Sequence, residues 1–499
     1  MPATESVTAT SESATSETAA SVTEAHADVV VLGAGPTGLA AARALARRGV
    51  AVTVLEAGQA VGGMAASIEV GGQRVDLGSH RLHPAMARRE RALVDALLGA
   101  DLQERPRRGR MAVAGRLVAF PPDPLDLLRT LPPSVAAPFV RDALTAPQRR
   151  RAAAAQGLRA SPSFADAVRV GLGPQALERF YGPYARKLWG VGPDELDADL
   201  ARRRVTANSG GAIARRLARQ LRGPATFLYP RLGFGQLVER LADDAVRAGV
   251  SIELGTPARS VVPAPPLADA DADDGGGVRV EAMATAWRAR AVVSTIPLPV
   301  LARLVPGAPP AVRAAVDALE VRAMALVYLV LDRPHYTAYD AHYLPGPETI
   351  VSRLSEPKRY RDGPDPADRT VLCAEVPCTA GDGTWSLPDD VLAGRVADEL
   401  AGVGLPLVRA VDAHVVRLGS VYPVERLGTP AHRAVVEAWL DGVPGVLSTG
   451  RQGLLVPDNT HHALSMGIDA AAALDDDLRI DAGRWAQARR AVDHHVVED

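Results

Sequence analysis

Residues 29–40 read VVVLGAGPTGLA, and this stretch decides the fold. Val29 to Leu32 is a short apolar, β-branched run, the pattern of a strand buried on both faces. Leu39 to Arg48 is rich in good helix formers, and Gly49 is a natural stop. Between them Gly33, Gly35 and Gly38 keep the Gly-x-Gly-x-x-Gly spacing. In that setting the first glycine permits a tight turn and the second lets backbone amides approach a pyrophosphate. The third lets helix and strand pack closely, and the helix start adds partial positive charge. A second strand, Ala51 to Leu55, ends in Glu56, 18 residues beyond Gly38. An acid near that distance reaches the ribose hydroxyls of a bound dinucleotide.

At 499 residues the chain can bury more than one core. Its formal net charge of −2 gives no basic field for nucleic acid. No apolar run approaches the roughly 20 residues of a membrane-spanning helix. The two cysteines, Cys373 and Cys378, fit no zinc pattern and suit packing in a reducing cytoplasm. Residues 1–26 open with a Ser/Thr/Ala/Glu-rich stretch lacking the charged start and apolar core of a secretion signal. Such a composition predicts a disordered tail on a cytoplasmic protein.

Between about Arg105 and Arg222 the pattern turns helical and Pro-punctuated, as in an inserted cap. Phe227 to Gly235 then leads into a helix from Gln236 to about Ala248. Strands are expected at Ser251–Leu254 and Val278–Glu281, with the exposed low-complexity loop PAPPLADADADDGGG between them. Ala291 to Ile296 reads as a buried strand that returns the chain to the first sheet. Met324–Leu331 and His414–Leu418 read as strands of a second sheet. Gly445–Gly450 is a strand and turn, and Ala463 to about Leu474 a small-residue helix. The expected class is α/β, with the nucleotide unit assembled from separated segments.

Four stretches carry a resemblance: Glu56-Ala-Gly-Gln-Ala-Val-Gly-Gly63, Tyr229-Pro-Arg-Leu-Gly-Phe-Gly235, Ala291-Val-Val-Ser-Thr-Ile-Pro297 and Ser448-Thr-Gly-Arg-Gln-Gly453. They resemble the FAD-dependent superfamily of amine oxidases, protoporphyrinogen oxidases, phytoene desaturases and UDP-galactopyranose mutases. The second Gly pair, Gly62-Gly63, lets the chain pass close to pyrophosphate and ribityl groups, which a nicotinamide dehydrogenase would not need. The resemblance implies FAD and a Rossmann-type FAD-binding domain built from residues 27–104, 226–300 and 426–485. A helical cap over 105–225, a mixed substrate-domain sheet over 301–425 and a C-terminal tail over 486–499 complete the expected division. Implied cofactor contacts are Gly33, Gly35, Pro36, Gly38, Glu56, Ala57, Gly62, Gly63, Met64, Gly78, Ser79, His80, Gly450, Arg451 and Asp458. Oxidases of the superfamily usually carry an acid where Arg451 stands, so Asp458 is the alternative acceptor for ribityl hydroxyls.

Other stretches are similar to the mutase branch: Gly78-Ser-His-Arg-Leu-His83, Tyr184-Ala-Arg-Lys-Leu-Trp-Gly190, Leu319-Glu-Val-Arg322 and Gly450-Arg-Gln-Gly453. The resemblance places His80 beside the flavin, makes Lys187 a tuning group and gives Arg322 a grip on a substrate diphosphate. The mutases' second diphosphate arginine falls at about Ala207, with Arg202, Arg203 and Arg204 nearby but out of register, so that clamp is incomplete. Plainer readings stand beside these: His80 and His83 bracing a turn, Lys187 snorkelling in the cap, Arg322 paired with an acid. No metal is expected at His461-His462, because adjacent side chains diverge and no third ligand is near in sequence. The expected function is an FAD-dependent oxidoreductase taking a hydride from a small molecule to flavin N5. The substrate would be an amine, a porphyrinogen-like molecule or another hydrophobic ring compound. The alternatives are a redox-neutral sugar-ring mutase and a non-enzymatic flavin-binding protein. Nothing in the sequence names the electron acceptor.

Overall fold

Val29–Leu32, buried along its whole length, is the middle strand of a five-stranded sheet. The order across the sheet is Ser251–Glu253, Val52–Leu55, Val29–Leu32, Ala291–Ser294 and Val446–Ser448. Every neighbouring pair is parallel, with Val31 opposite Val54 on one side and Val293 on the other. Parallel neighbours need long crossovers, so three distant stretches of chain meet here. The computed structural model describes residues 23–120, 123–155, 163–204, 225–264 and 277–497.

One face of the sheet is covered by the helix Pro36–Ala46, which packs against Thr460–Ala472 and Gly235–Arg247. A Cβ on Gly467 would lie 2.2 Å from the Thr37 carbonyl oxygen, so only glycine lets the first two of these helices touch. The other face packs on a four-stranded sheet ordered Thr23–His26, Thr285–Ala289, Gly277–Ala282 and Ala258–Ala264. Helices Leu298–Leu304, Pro310–Asp317 and Thr429–Asp441 share that core.

A second, seven-stranded sheet runs Ala410–Pro423, Val321–Leu331, Thr370–Cys378, Arg353–Ser355, Ala341–Tyr343, Gly109–Val113 and Arg116–Phe120. It is mixed: Ala341–Tyr343 pairs in parallel with Gly109–Val113, and the other pairs are antiparallel. Both cysteines are free and buried in the Thr370–Cys378 strand, as packing residues. The cap helices Phe164–Gly171, Gly182–Trp189 and Ala198–Arg204 close over a small core of their own containing Phe164, Leu188 and Trp189.

The structure corrects four boundaries. The cap does not begin at residue 105: Leu102–Pro106 pairs with Thr226–Pro230, and the next two strands form a hairpin in the seven-stranded sheet. Burial there alternates with period two, and Ala114 and Gly115 at the tip both have positive φ, as a two-residue hairpin turn demands. Thr23–His26, expected in a tail, is a strand paired in parallel with Thr285–Ala289. Residues 301–317, expected with the second sheet, pack with the parallel one instead. The C-terminal stretch is a helix, Ala482–Val492, followed by residues that return to the cleft described below. Residues 1–22, Ala207 and residues 265–276 lie outside the described residues. Among the described residues no helix is long and apolar enough to cross a membrane.

Candidate functional site

Where the first strand gives way to its helix, the three motif glycines divide the work unequally. A Cβ on Gly33 would sit 2.6 Å from Thr295 Oγ1, and one on Gly38 only 2.0 Å from the Gly33 carbonyl oxygen. Both are demanded by packing. A Cβ on Gly35 would meet nothing within 4 Å, because Gly35 faces an open cleft. Gly63, at φ +52°, lies across from it, its absent Cβ 3.5 Å from Gly35 Cα. No side chain caps the helix that starts at Pro36, so its first amides remain available to an anion. Glu56 edges the same cleft, accepting hydrogen bonds at 2.7 Å from the Ala34 and Gly58 amides. Bare backbone, an uncapped helix start and a carboxylate held by amides fit a dinucleotide.

Gly33, Gly35, Pro36, Glu56, Gly63, Met64, Ser79, His80, Arg451 and Asp458 all line this cleft. Gly38, Ala57, Gly62, Gly78 and Gly450 do not line it. Three of these support it from behind. Gly62 turns with φ +112° against Val238, and Gly450 with φ +85° against Thr37. Gly78 turns with φ +95°, its absent Cβ 3.5 Å from Glu375 Oε1.

That carboxylate holds the next residues of the turn. Glu375, buried on the Thr370–Cys378 strand, accepts from the Ser79 amide at 2.9 Å and from Arg353 at 2.7 Å. Arg353 in turn donates to the Ser79 carbonyl at 3.2 Å. His80 follows, its Nε2 donating to the Leu77 carbonyl at 3.0 Å and its ring 5.1 Å from that of Phe234. Burial lowers the imidazole below its ordinary range, outweighing the Asp76 charge, so His80 is a neutral group with Nδ1 left as an acceptor. His83 accepts the Ala85 amide and also reaches the cleft, so it does brace the turn.

Asp458 is tied from two directions. His495 donates to Oδ2 at 2.9 Å, and His462 Nδ1 stands 3.5 Å from Oδ1. Burial alone would raise this carboxyl, but the neighbouring His462 and His495 imidazoles hold it at about 2. A cluster of one carboxylate and two imidazoles therefore does assemble at His462, its third member coming from the C-terminal stretch. The His462 and His495 rings stack 4.1 Å apart and 9° from parallel.

The family model for flavin-containing amine oxidoreductases matches residues 36–472, nearly the whole of this framework. The chain belongs to that family. The family's flavin is FAD, a dinucleotide of the kind that the bare backbone at Gly35 and Gly63 can accept. The fold is similar to that of a reduced UDP-galactopyranose mutase, with TM-score 0.73 and 19% identity over 95% of this chain and 100% of that one. A candidate protoporphyrinogen oxidase from Exiguobacterium superposes with TM-score 0.66 and 20% identity, covering 90% of this chain and 98% of that one. Cyclohexylamine oxidase from Brevibacterium oxydans gives TM-score 0.63 and 20% identity over 90% and 98%. No curated protein sequence matches the chain.

In this flavin amine oxidoreductase two expected catalytic side chains, Lys187 and Arg322, do not line the cleft. Arg322 donates to Thr379 Oγ1 and packs against Gly190. Lys187 reaches down from the cap to the carbonyls of Leu344 and Val351, the second at 3.0 Å. Sequence alone cannot show that the cap helix aims Lys187 at the Leu344 and Val351 carbonyls, or that the Val321–Leu331 strand turns Arg322 to Thr379. Burial pulls the Lys187 ammonium down to about 8, against the pull of Glu348 and Glu399. Between pH 8 and its ordinary value near 10.5 the unfolded chain holds the proton that the folded one has lost, so stability rises with pH there. Thermal melts should show this rise in the parent and not in Lys187→Met.

Sequence analysis gave no role to Glu375, Arg107 or Arg81, and set Arg204 aside as out of register. The available signal for Glu375 was a lone acid inside the apolar strand TVLCAEVPC.

Proposed function

We propose that this protein is an FAD-dependent dehydrogenase of a small ring compound, acting in the cytoplasm. The observation that carries the reading is the continuity of one cleft. Gly35 and Gly63 offer bare backbone to the cofactor, and the same cavity is walled by Tyr184 of the cap and by Phe227, Tyr343 and Tyr422. FAD, when bound, supplies a two-electron acceptor for the hydride that leaves the substrate. Glu56 and the start of the Pro36–Ala46 helix would hold its adenosine and pyrophosphate, and Asp458 would face its polyol. The aromatic walls orient the substrate and exclude water. Neutral His80, fixed in one tautomer by the Leu77 carbonyl, presents Nδ1 as a hydrogen-bond acceptor in the same cleft.

A redox-neutral mutase would need Arg322 on a diphosphate, and its bond to Thr379 outside the cleft weighs against that role. Anaerobic mixing of the yellow holoenzyme with ring compounds of graded charge tests the proposal, with bleaching of the flavin band as the expected result. Interconversion of a nucleotide sugar by dithionite-reduced enzyme, with no net consumption of electrons, would overturn it.

A further inference from the structure

Asp458 lies in the irregular stretch between the helices Gly450–Gly453 and Thr460–Ala472, just past Leu455, whose φ of +49° is uncommon for a side chain of its size. Neither a helix nor strand pairing fixes its position. The side chain is withdrawn from water, yet the residue walls the cleft. Its Oδ2 accepts from His495, while Oδ1 is buried with no hydrogen-bond partner among the described residues. A buried carboxylate oxygen left unpaired is costly, and a hydroxyl donor from a ligand in the cleft would satisfy it.

The donor that holds Oδ2 comes from a segment tied to two other parts of the molecule. The helix Ala482–Val492 packs on Thr460–Ala472, with Trp485 and Val492 buried in the core of the cofactor unit. The residues beyond it are fastened to the cap. Arg203, in the cap helix Ala198–Arg204, donates to the Val492 carbonyl at 3.0 Å and to Asp493 at 3.3 Å. The carbonyl of Arg203 accepts the Val497 amide at 2.9 Å. Between these ties His495 reaches Asp458, and Val497 itself lines the cleft. A segment held by a few hydrogen bonds, without strand pairing, opens at small cost compared with global unfolding.

We infer that Asp493–Val497 is a strap that retains FAD, and that His495 is its positioning residue, holding Asp458 so that Oδ1 is left for a hydroxyl of the cofactor. This rests on the proposed reading that puts the FAD polyol beside Asp458. When the strap lets go, the Val497 wall and the donor that steadies Asp458 are lost together, so its opening sets the rate at which FAD leaves. Arg203 makes that opening depend on the cap as well.

The experiment dilutes the holoenzyme and follows the fluorescence of released FAD, beside thermal melts of the apoproteins. His495→Leu removes the donor, and should release FAD at least tenfold faster from a protein whose apo form melts like the parent. His495→Asn keeps an N–H donor and should recover part of the retention. Arg203→Met frees Val492 and Asp493 without touching Asp458, and should quicken release too. Adding His495→Leu to Asp458→Ala should change release no further than Asp458→Ala alone, because the histidine acts through that carboxylate. The inference is overturned if His495→Leu or Arg203→Met keeps the parent rate while Asp458→Ala releases FAD faster, or if the effects of His495→Leu and Asp458→Ala add in full. It is also overturned if the His495→Leu apoprotein melts well below the parent, since the histidine would then serve the fold. Parent-like release from Asp458→Ala would remove the placing of the polyol, and the inference with it. The dehydrogenase reading fails separately, if no ring compound bleaches the parent.

Discussion

Gly35→Ala is expected to give a folded protein that binds FAD about tenfold to a hundredfold more weakly. The backbone at Gly35 has φ −76° and ψ 178°, an extended conformation that alanine adopts freely. The added Cβ meets no protein atom within 4 Å, so the fold has nothing to resist it. What the methyl group does occupy is the approach to the uncapped amides at the start of the Pro36–Ala46 helix. One charge-assisted hydrogen bond to an anion is worth roughly 1.5–3 kcal/mol, which sets the size of the loss. Gly38→Ala should behave in the opposite way. Its Cβ would press to 2.0 Å from a backbone oxygen that cannot rotate aside, so the protein should fail to fold with or without FAD. Fluorescence titration with FAD and thermal melts of both apoproteins separate the two cases. Parent-like affinity in Gly35→Ala would mean that the pyrophosphate does not lie against this glycine.

The contrast between two glycines of one motif shows what a sequence can and cannot carry. Spacing alone predicts that Gly38 is a packing residue and Gly35 a contact residue, because strand, turn and helix geometry are local. The same locality made the strands Val29–Leu32, Val52–Leu55 and Ala291–Ser294 legible, since a doubly buried strand is a run of apolar residues wherever it occurs. The hairpin Gly109–Val113 with Arg116–Phe120 was hidden because half of its residues face outward, and the chain that follows it is helical. The orientation of Lys187 and Arg322 was illegible for another reason. Which way the cap helix faces depends on packing against chain 157 residues away, as the Lys187–Leu344 contact shows, and Arg322 is turned to Thr379, 57 residues on, by the pairing of its strand. His495 is the extreme case, because nothing near Asp458 in sequence announces a partner 37 residues later.

Removal of the Glu375 carboxylate should be the most damaging single change in the cleft floor. Glu375 stands opposite Arg353 in the register of two antiparallel strands, and both are largely withdrawn from water, at 5% and 16% side-chain exposure. Truncating one member of such a pair leaves the other charge uncompensated, which typically costs about 3–5 kcal/mol. Here the cost has a functional consequence, because the same oxygen accepts the Ser79 amide and so fixes the turn that carries His80 into the cleft. Glu375→Ala should therefore melt well below the parent and alter the flavin spectrum of whatever holoenzyme forms. Glu375→Gln keeps an acceptor for the Ser79 amide but not the charge, so it should recover the spectrum more fully than the stability. In the double variant Glu375→Leu with Arg353→Leu, the unpaired buried charge disappears with its partner. That protein should be more stable than either single leucine variant while still lacking the parent's flavin environment, since no acceptor remains for Ser79. If Glu375→Ala melted like the parent, the ion pair would be decoration, and the position of His80 would have to come from its ring packing on Phe234 alone.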